Sequence, residues 1–213
     1  MRHWLGLLGW FRPSDLKTAA RLEQLKPLWW VGWVFDAESF VSWTADSNQG
    51  SRRSAWAPHA GQIDMTFDDM LVSASRGLSG AEASAIGPGC DLSTIRDEPE
   101  GANNATIEQF DLQRSQARQQ IINAIQELAA DRVEAQHVPG SRFRKVRVSV
   151  VLRKLITRRV SLPAWVLAYR YKGSLYRMVI CGQDATRVTG SAPYSIARIV
   201  LVAAMAIAAA AML

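Results

Sequence analysis

Residues 164–181 read AWVLAYRYKGSLYRMVIC and form the clearest β-hairpin pattern in the chain. Aromatic and β-branched residues fill Ala164–Tyr171 and Leu175–Cys181, and the turn residues Lys172-Gly173-Ser174 separate them. A further strand is expected from Thr186 to Gly190. This part of the chain therefore predicts an antiparallel sheet.

Four earlier stretches extend the strand prediction. Arg142–Ile156 alternates, placing Val146, Val148, Val150 and Leu152 on one face. Trp29–Trp43 is rich in aromatic and β-branched residues and predicts a long strand. Arg52–Trp56 and Gln62–Phe67 flank the turn-like residues Pro58-His59-Ala60-Gly61, which predicts a second hairpin.

Two helices are expected among these strands. One begins after the capping residue Asp15 and runs to about Leu25; the other runs from Ile107 to about Glu134 and ends before Pro139-Gly140. The residues from Leu78 to Thr106 are loop-like, so a flexible loop is predicted over about 79–106. The pattern indicates an α+β fold, with antiparallel sheet and two main helices in one domain spanning 13–192. A faint repeat between 28–34 and 161–167 suggests two related half-sheets.

The C-terminal residues 199–213 read IVLVAAMAIAAAAML and carry no charge. As a helix this run is roughly 22 Å long, and a start near Pro193 adds a turn. We expect 193–213 to be a single-pass membrane anchor, with Tyr194 at the interface and Arg198 reaching the headgroups. Met205 and Ile207 would then contact lipid or a partner helix. The alternative is a buried C-terminal helix in a soluble core.

The N-terminal residues 1–12 predict an amphipathic segment. Trp4, Leu5, Leu8 and Phe11 can share one helical face, and Trp4 and Trp10 are candidate contacts to a membrane or a partner. The alternative is a helix that packs on the core.

Positive charge is concentrated late in the chain. The net charge is +6, and from Arg142 to Arg198 the only acidic residue is Asp184. This imbalance suits an anionic membrane face or an acidic partner, and it predicts a cytoplasmic main domain. The candidate basic face consists of Arg144, Arg147, Arg170, Lys172 and Arg177. A less favoured alternative is single-stranded nucleic acid stacked on the aromatic residues of the 164–181 hairpin.

No arrangement of residues predicts catalysis, a cofactor or a metal site. Cys90 and Cys181 are far apart and have no ligand spacing around them. Asp68 and Asp69 are adjacent, so on a strand they would point to opposite faces. Ser73 and Ser75 lack the glycine-flanked turn that exposes a nucleophile.

Residues 162–173 (LPAWVLAYRYKG), with Tyr176-Arg177 and Cys181-Gly182-Gln183, resemble a module of bacterial zinc-ribbon proteins of unknown function. Its pattern is LPxWxxxYRYxGxxYRxxxNGQTGxxxGxxPxS. The segments WFRPSDLK (10–17), WVFDA (33–37) and FDDMLVSASRGL (67–78) resemble earlier parts of that family. The zinc-binding CxxC pairs are absent here, and Cys181 and Asp184-Ala185 replace the Asn and Thr-Gly of the pattern.

The resemblance implies a scaffold or interaction domain, because without the zinc ribbon no functional motif remains. Together with the apolar tail, it predicts a non-catalytic accessory or structural subunit of a bacterial membrane protein complex. The expected partners are integral membrane proteins and anionic lipid.

Overall fold

The structure, a computed structural model, describes residues 1–49, 55–97 and 104–210. The fold is α+β, as predicted, and its sheet is mostly antiparallel. The helices are α1 (Arg2–Leu7), α2 (Leu16–Ala19), α3 (Gly80–Ile86), α4 (Arg114–Gln136) and α5 (Ile196–Ala210). The strands are β1 (Arg21–Ser47), β2 (Ala57–Ser73), β3 (Thr106–Ile107), β4 (Phe143–Tyr171), β5 (Ser174–Cys181) and β6 (Val188–Gly190).

The strand order among the described residues is β2-β1-β4-β5-β6, and β3 pairs in parallel with β1. The chain divides into two compact units. Unit 1 contains residues 1–30, 78–108 and 162–213, and unit 2 contains 31–77 and 109–161. The long strands β1 and β4 each contribute residues to both units.

Unit 2 is a sheet with α4 packed on one face. Residues 32–47 of β1 pair antiparallel with β2, and the β1 side chains Trp33, Phe35 and Val41 belong to the buried core. Helix α4 contributes a buried stripe at a spacing of four residues, which keeps the stripe on one helical face. The stripe consists of Ala117, Ile121, Ile125, Ala129 and Val133.

Unit 1 contains the predicted hairpin. Ala164–Tyr171 of β4 pairs with β5, and Tyr171 lies opposite Ser174. The two turn residues both have positive φ, 47° at Lys172 and 85° at Gly173. A two-residue turn of this kind matches the right-handed strand twist. The predicted third strand is also present, because β6 pairs with β5.

The first predicted helix was too long. It ends at Ala19 rather than near Leu25, because Arg21–Lys26 belongs to β1. An ion pair fastens this part of the strand, with Arg170 Nε 2.8 Å from Glu23 Oε1. Pairing in the sheet therefore overrides the helical spacing of the apolar residues.

The predicted turn at 58–61 was also wrong, because β2 runs straight through it. Gly61 lies opposite Trp43, and a Cβ on Gly61 would be 2.7 Å from Trp43 Cζ2. The glycine makes room for the indole ring and does not mark a turn. Residues 50–54, where most of the partner strand was predicted, lie outside the described residues.

The loop predicted over 79–106 is partly helical. Helix α3 begins at a capping box, in which Ser79 Oγ accepts from Glu82 N–H and the Glu82 side chain accepts from Ser79 N–H. Ile86, at the end of α3, is fully buried. Residues 98–103 of the predicted loop lie outside the described part of the chain.

The long helix was predicted to start too early. Ile107 is exposed and belongs to β3, and α4 begins only at Arg114. Leu128, placed on the apolar stripe by the prediction, is exposed, whereas Ala129 is buried. The end of the helix before Pro139-Gly140 is confirmed.

Candidate functional site

The N-terminal segment and the start of α5 form one hydrogen-bonded structure within unit 1. The Ser195 amide donates to the Phe11 carbonyl oxygen at 2.8 Å. Nη1 of Arg198 donates to the carbonyl oxygens of Trp10, at 2.5 Å, and of Arg12, at 3.0 Å. These contacts join residues 10–12 to the first turn of α5.

Aromatic rings and guanidinium groups stack at the same place. The Arg12 guanidinium carbon lies 3.7 Å from the centre of the Tyr194 ring, and that of Arg198 lies 5.1 Å from the Trp10 ring. Trp10 and Phe11 meet edge to face, with ring centres 5.5 Å apart. We call this group the aromatic collar; it consists of Trp10, Phe11, Arg12, Tyr194 and Arg198.

The collar leaves its rings open to solvent. Trp10 is 52% exposed and Tyr194 is 62% exposed, and neighbouring Leu7 is also exposed. Trp and Tyr carry an apolar body and a polar tip, and in membrane proteins they concentrate at the boundary between lipid and water. The collar has the composition of such a boundary.

Helix α5 continues from the collar with apolar side chains exposed along its length. The exposed large apolar residues are Ile196, Ile199, Val200, Leu201, Met205 and Ile207. No charged residue follows Arg198 in the helix. A soluble helix normally hides its apolar stripe and exposes a polar face, so α5 has the composition of a buried helix in an exposed position.

Helix α5, Ile196–Ala210, has 15 residues. At a rise of about 1.5 Å per residue this is roughly 22 Å, whereas a bilayer core is about 30 Å thick. Among the described residues, no helix combines the length and the apolar character needed to cross a membrane.

The structure brings only part of the predicted contact set together. Trp10, Tyr194 and Arg198 are in the collar, and Met205 and Ile207 are exposed on α5. Trp4 instead packs beside the buried core of unit 1. The prediction omitted Arg12. Its signal in the sequence was an arginine directly after two aromatic residues, Trp10 and Phe11.

Most of the predicted basic face is neutralised inside the fold. Of its five residues, only Arg147 has no ion pair among the described residues. The ion pairs are Arg144 with Asp46, Arg170 with Glu23, Lys172 with Asp15 and Arg177 with Glu82, at 3.1, 2.8, 3.3 and 3.3 Å. Their charge is therefore compensated locally and gives little support to a large cationic surface.

Two of the four hairpin aromatics are buried, whereas Trp165 is 37% exposed. Tyr169 and Tyr171 are buried, and Tyr169 Oη donates to the Ser191 carbonyl oxygen at 2.7 Å. Burial, followed by the neighbouring Tyr176, raises the pKa of Tyr169 to about 12. Buried rings cannot stack on bases. Tyr169 and Tyr171 are therefore not accessible for stacking on bases, which leaves Trp165 and the half-buried Tyr176 of the predicted set.

Asp68 and Asp69 lie at a β-bulge in unit 2. The register between β1 and β2 shifts there, and Asp69 has a φ of 56°. The Asp69 amide donates to Asp36 Oδ1 at 2.9 Å, and Nη2 of Arg158 contacts the carboxylates of both Asp36 and Asp69. Asp36 and Asp69 therefore have a structural use in holding the bulge.

The remaining histidine, cysteine and acidic side chains form no metal-binding group among the described residues. His59 Nε2 is 3.0 Å from Ser47 Oγ. In the described part of the chain, no three His, Cys, Asp or Glu side chains are grouped to hold a metal ion. Cys90 and Cys181 are both free thiols, with their Sγ atoms 3.6 Å apart. The contact brings together two cysteines 91 positions apart in the sequence.

Comparisons with protein-family models, with curated proteins and with solved structures found no match. The resemblance to bacterial zinc-ribbon proteins therefore stays a prediction.

Proposed function

We propose that the protein is a non-catalytic, membrane-anchored accessory subunit whose α5 helix enters the lipid bilayer. The observation that carries the proposal is the exposed apolar surface of α5 directly above the aromatic collar. Burying an exposed Leu, Ile or Met side chain contributes about 1.5–3 kcal/mol, so insertion of α5 is strongly favourable.

The collar fits the boundary of the membrane. Trp10 and Tyr194 lie in the headgroup region, and Arg198 keeps its charge there while its helix continues into lipid. The hydrogen bonds from Arg198 to Trp10 and Arg12 keep the helix and the collar in register.

The partner we propose is an integral membrane protein. Ala203, Ala204 and Ala206 let another helix approach the α5 backbone closely, and close packing is a main source of helix association in lipid. The remainder of the chain lies on the cytoplasmic side, because Arg187 and Arg198 flank the apolar run.

Flotation with lipid vesicles tests the anchoring step. The full chain is mixed with phosphatidylcholine vesicles, with and without phosphatidylglycerol, and centrifuged through a density gradient. We expect the full chain to float with the vesicles. The double variant Leu201→Asp/Met205→Asp should remain at the bottom, because two carboxylates on adjacent helical turns oppose insertion.

Leu175→Asp is the matched control, since Leu175 is an exposed leucine of unit 1 outside α5. This variant should float like the unchanged chain. Failure of the unchanged chain to float with either vesicle type would rule out anchoring by α5. Equal loss of flotation in the control would show that the aspartates act by general damage.

A further inference from the structure

The N-terminal part of β4 has an open edge. Strand β4 lies between β1 and β5 in the sheet, and β5 pairs only with Ala164–Tyr171 of β4. No other described strand pairs with residues 143–161. In an antiparallel sheet alternate residues direct their N–H and C=O groups to each side, so about half of this stretch presents unpaired main-chain groups.

The side chains along this edge are only partly covered. Val146, Val148, Val150, Leu152 and Leu155 pack against the core of unit 2 but remain half-buried. Helix α4 also contacts β2, where Arg132 donates to the Thr66 carbonyl oxygen at 2.8 Å. An additional strand at the β4 edge would cover this apolar row.

A groove lies between this part of β4 and the first turns of α4. It consists of two adjoining cavities of about 480 and 530 Å³, which share Arg114 and Thr157. One cavity is walled by Trp33 and Phe110 beneath the Arg159 guanidinium, which lies 5.2 and 5.3 Å from the two ring centres. The side chains of an added strand could enter this groove.

Charge indicates what kind of strand the edge accepts. Residues 143–161 contain no acid. Five of their cations form ion pairs with acids of β1 and β2: Arg144, Lys145, Arg153, Lys154 and Arg158. Arg147 and Arg159, with Arg114 and Arg118 of α4, are exposed and have no ion pair among the described residues.

We propose that the open β4 edge binds an extended acidic segment of a partner protein by strand addition. Main-chain hydrogen bonds and the half-buried apolar row provide the affinity, and the positive charge of the edge, which includes the uncompensated Arg147 and Arg159, selects an acidic segment. A second copy of this chain fits poorly, because pairing two β4 edges would place like charges side by side.

The test uses the full chain in detergent micelles and fluorescent peptides of roughly ten residues, about the length of a strand. One peptide alternates valine and aspartate. A second is identical but N-methylated at alternate residues, so that it keeps its charge and loses main-chain donors. A third alternates valine and lysine. Binding is followed by fluorescence anisotropy, and self-association by analytical ultracentrifugation.

We expect the first peptide to bind and the lysine peptide not to bind. N-methylation and the double variant Arg147→Glu/Arg159→Glu should each weaken binding by at least about tenfold. Arg21→Glu is the control, because Arg21 is an exposed arginine of unit 1 without an ion pair among the described residues. It should leave binding unchanged.

Three results would overturn the proposal. Equal binding of the N-methylated peptide would mean that charge alone attracts the peptide. Absence of binding by the first peptide would mean that the edge is not a docking site for acidic strands. Self-association that excludes the peptide would assign the edge to a second copy of the chain.

Discussion

The indole N–H of Trp33 donates a hydrogen bond to the carbonyl oxygen of Leu112 at 2.9 Å, which ties β1 to the segment leading into α4. Trp30 lacks an equivalent bond, since its buried Nε1 has no hydrogen-bond partner among the described residues. The two tryptophans therefore differ in how much a change to phenylalanine should cost.

We predict that Trp33→Phe lowers the free energy of unfolding more than Trp30→Phe does, by about 1–3 kcal/mol. Both changes remove a similar volume, but only Trp33→Phe leaves the Leu112 carbonyl oxygen without its donor. Urea unfolding followed by circular dichroism measures the difference. Equal losses would show that the Trp33 hydrogen bond contributes nothing net.

The junction between the collar and α5 gives a second prediction. Arg198→Ala removes both hydrogen bonds to the N-terminal segment, so hydrogen exchange at the Ser195 amide should accelerate by about tenfold or more. Arg198→Lys retains the charge but not the guanidinium geometry, and its exchange rate should be intermediate. An unchanged exchange rate in Arg198→Ala would show that these bonds do not hold the Ser195–Phe11 contact closed.

The hairpin of β4 and β5 could be predicted, because alternation and the Lys172-Gly173 turn are local signals. The course of β2 could not, because Pro58 and Gly61 usually indicate a turn. Here Pro58 lies near the start of an edge strand, where a missing N–H is tolerated, and Gly61 accommodates Trp43. The role of Gly61 can be recognised only once Trp43 is known to lie opposite it.

Residues of the candidate site could be predicted where the sequence signal lies next to them in the chain. Tyr194 and Arg198 adjoin the apolar run and were identified from it. The pairing of four basic-face cations was missed, since partners such as Glu23 and Arg170 are far apart in sequence. Composition gives the sign of a region's charge, whereas only the fold decides which charges remain uncompensated.

The bulge in β2 predicts an unusual order of substitutions at Asp69. Its φ of 56° is accessible to glycine and tolerated by aspartate, but it is unfavourable for a β-branched residue. Asp69→Val should therefore be less stable than Asp69→Gly by about 1–2 kcal/mol, although both lose the contact with Arg158. Thermal unfolding of the two variants measures this order, and the reverse order would contradict the left-handed conformation.

The cysteine pair predicts low thiol reactivity. Burial, followed by the nearby Cys181, raises the pKa of Cys90 to about 12, so almost no Cys90 thiolate exists near neutral pH. Iodoacetamide should label Cys90 slowly in the folded chain and rapidly in denaturant, as measured by mass spectrometry. Cys181→Ala should accelerate labelling only modestly, because burial is the larger cause. Rapid labelling of the folded chain would contradict this environment.

The contact between Asp15 and the hairpin predicts a pH-dependent contribution to stability. Tyr171 Oη donates to Asp15 Oδ1 at 2.7 Å, and Lys172 Nζ lies 3.3 Å from Oδ2. The Tyr171 hydrogen bond, with a smaller contribution from Lys172, lowers the pKa of Asp15 below 3.8. A lowered pKa means that the unfolded chain binds the proton first, so the stabilisation is present above 3.8 and is lost as the pH falls through the folded-state value.

Asp15→Asn should therefore have a lower melting temperature than the unchanged chain near neutral pH. That difference should shrink as the pH falls below 3.8, because the carboxylate becomes protonated in the unchanged chain as well. Asp131→Asn is the control, since Asp131 is an exposed acid on α4 with no ion pair among the described residues. Differential scanning calorimetry across this range measures both variants. A difference for Asp15→Asn that stayed constant into acid would show that the asparagine acts through packing and that the charge of Asp15 does not stabilise the hairpin.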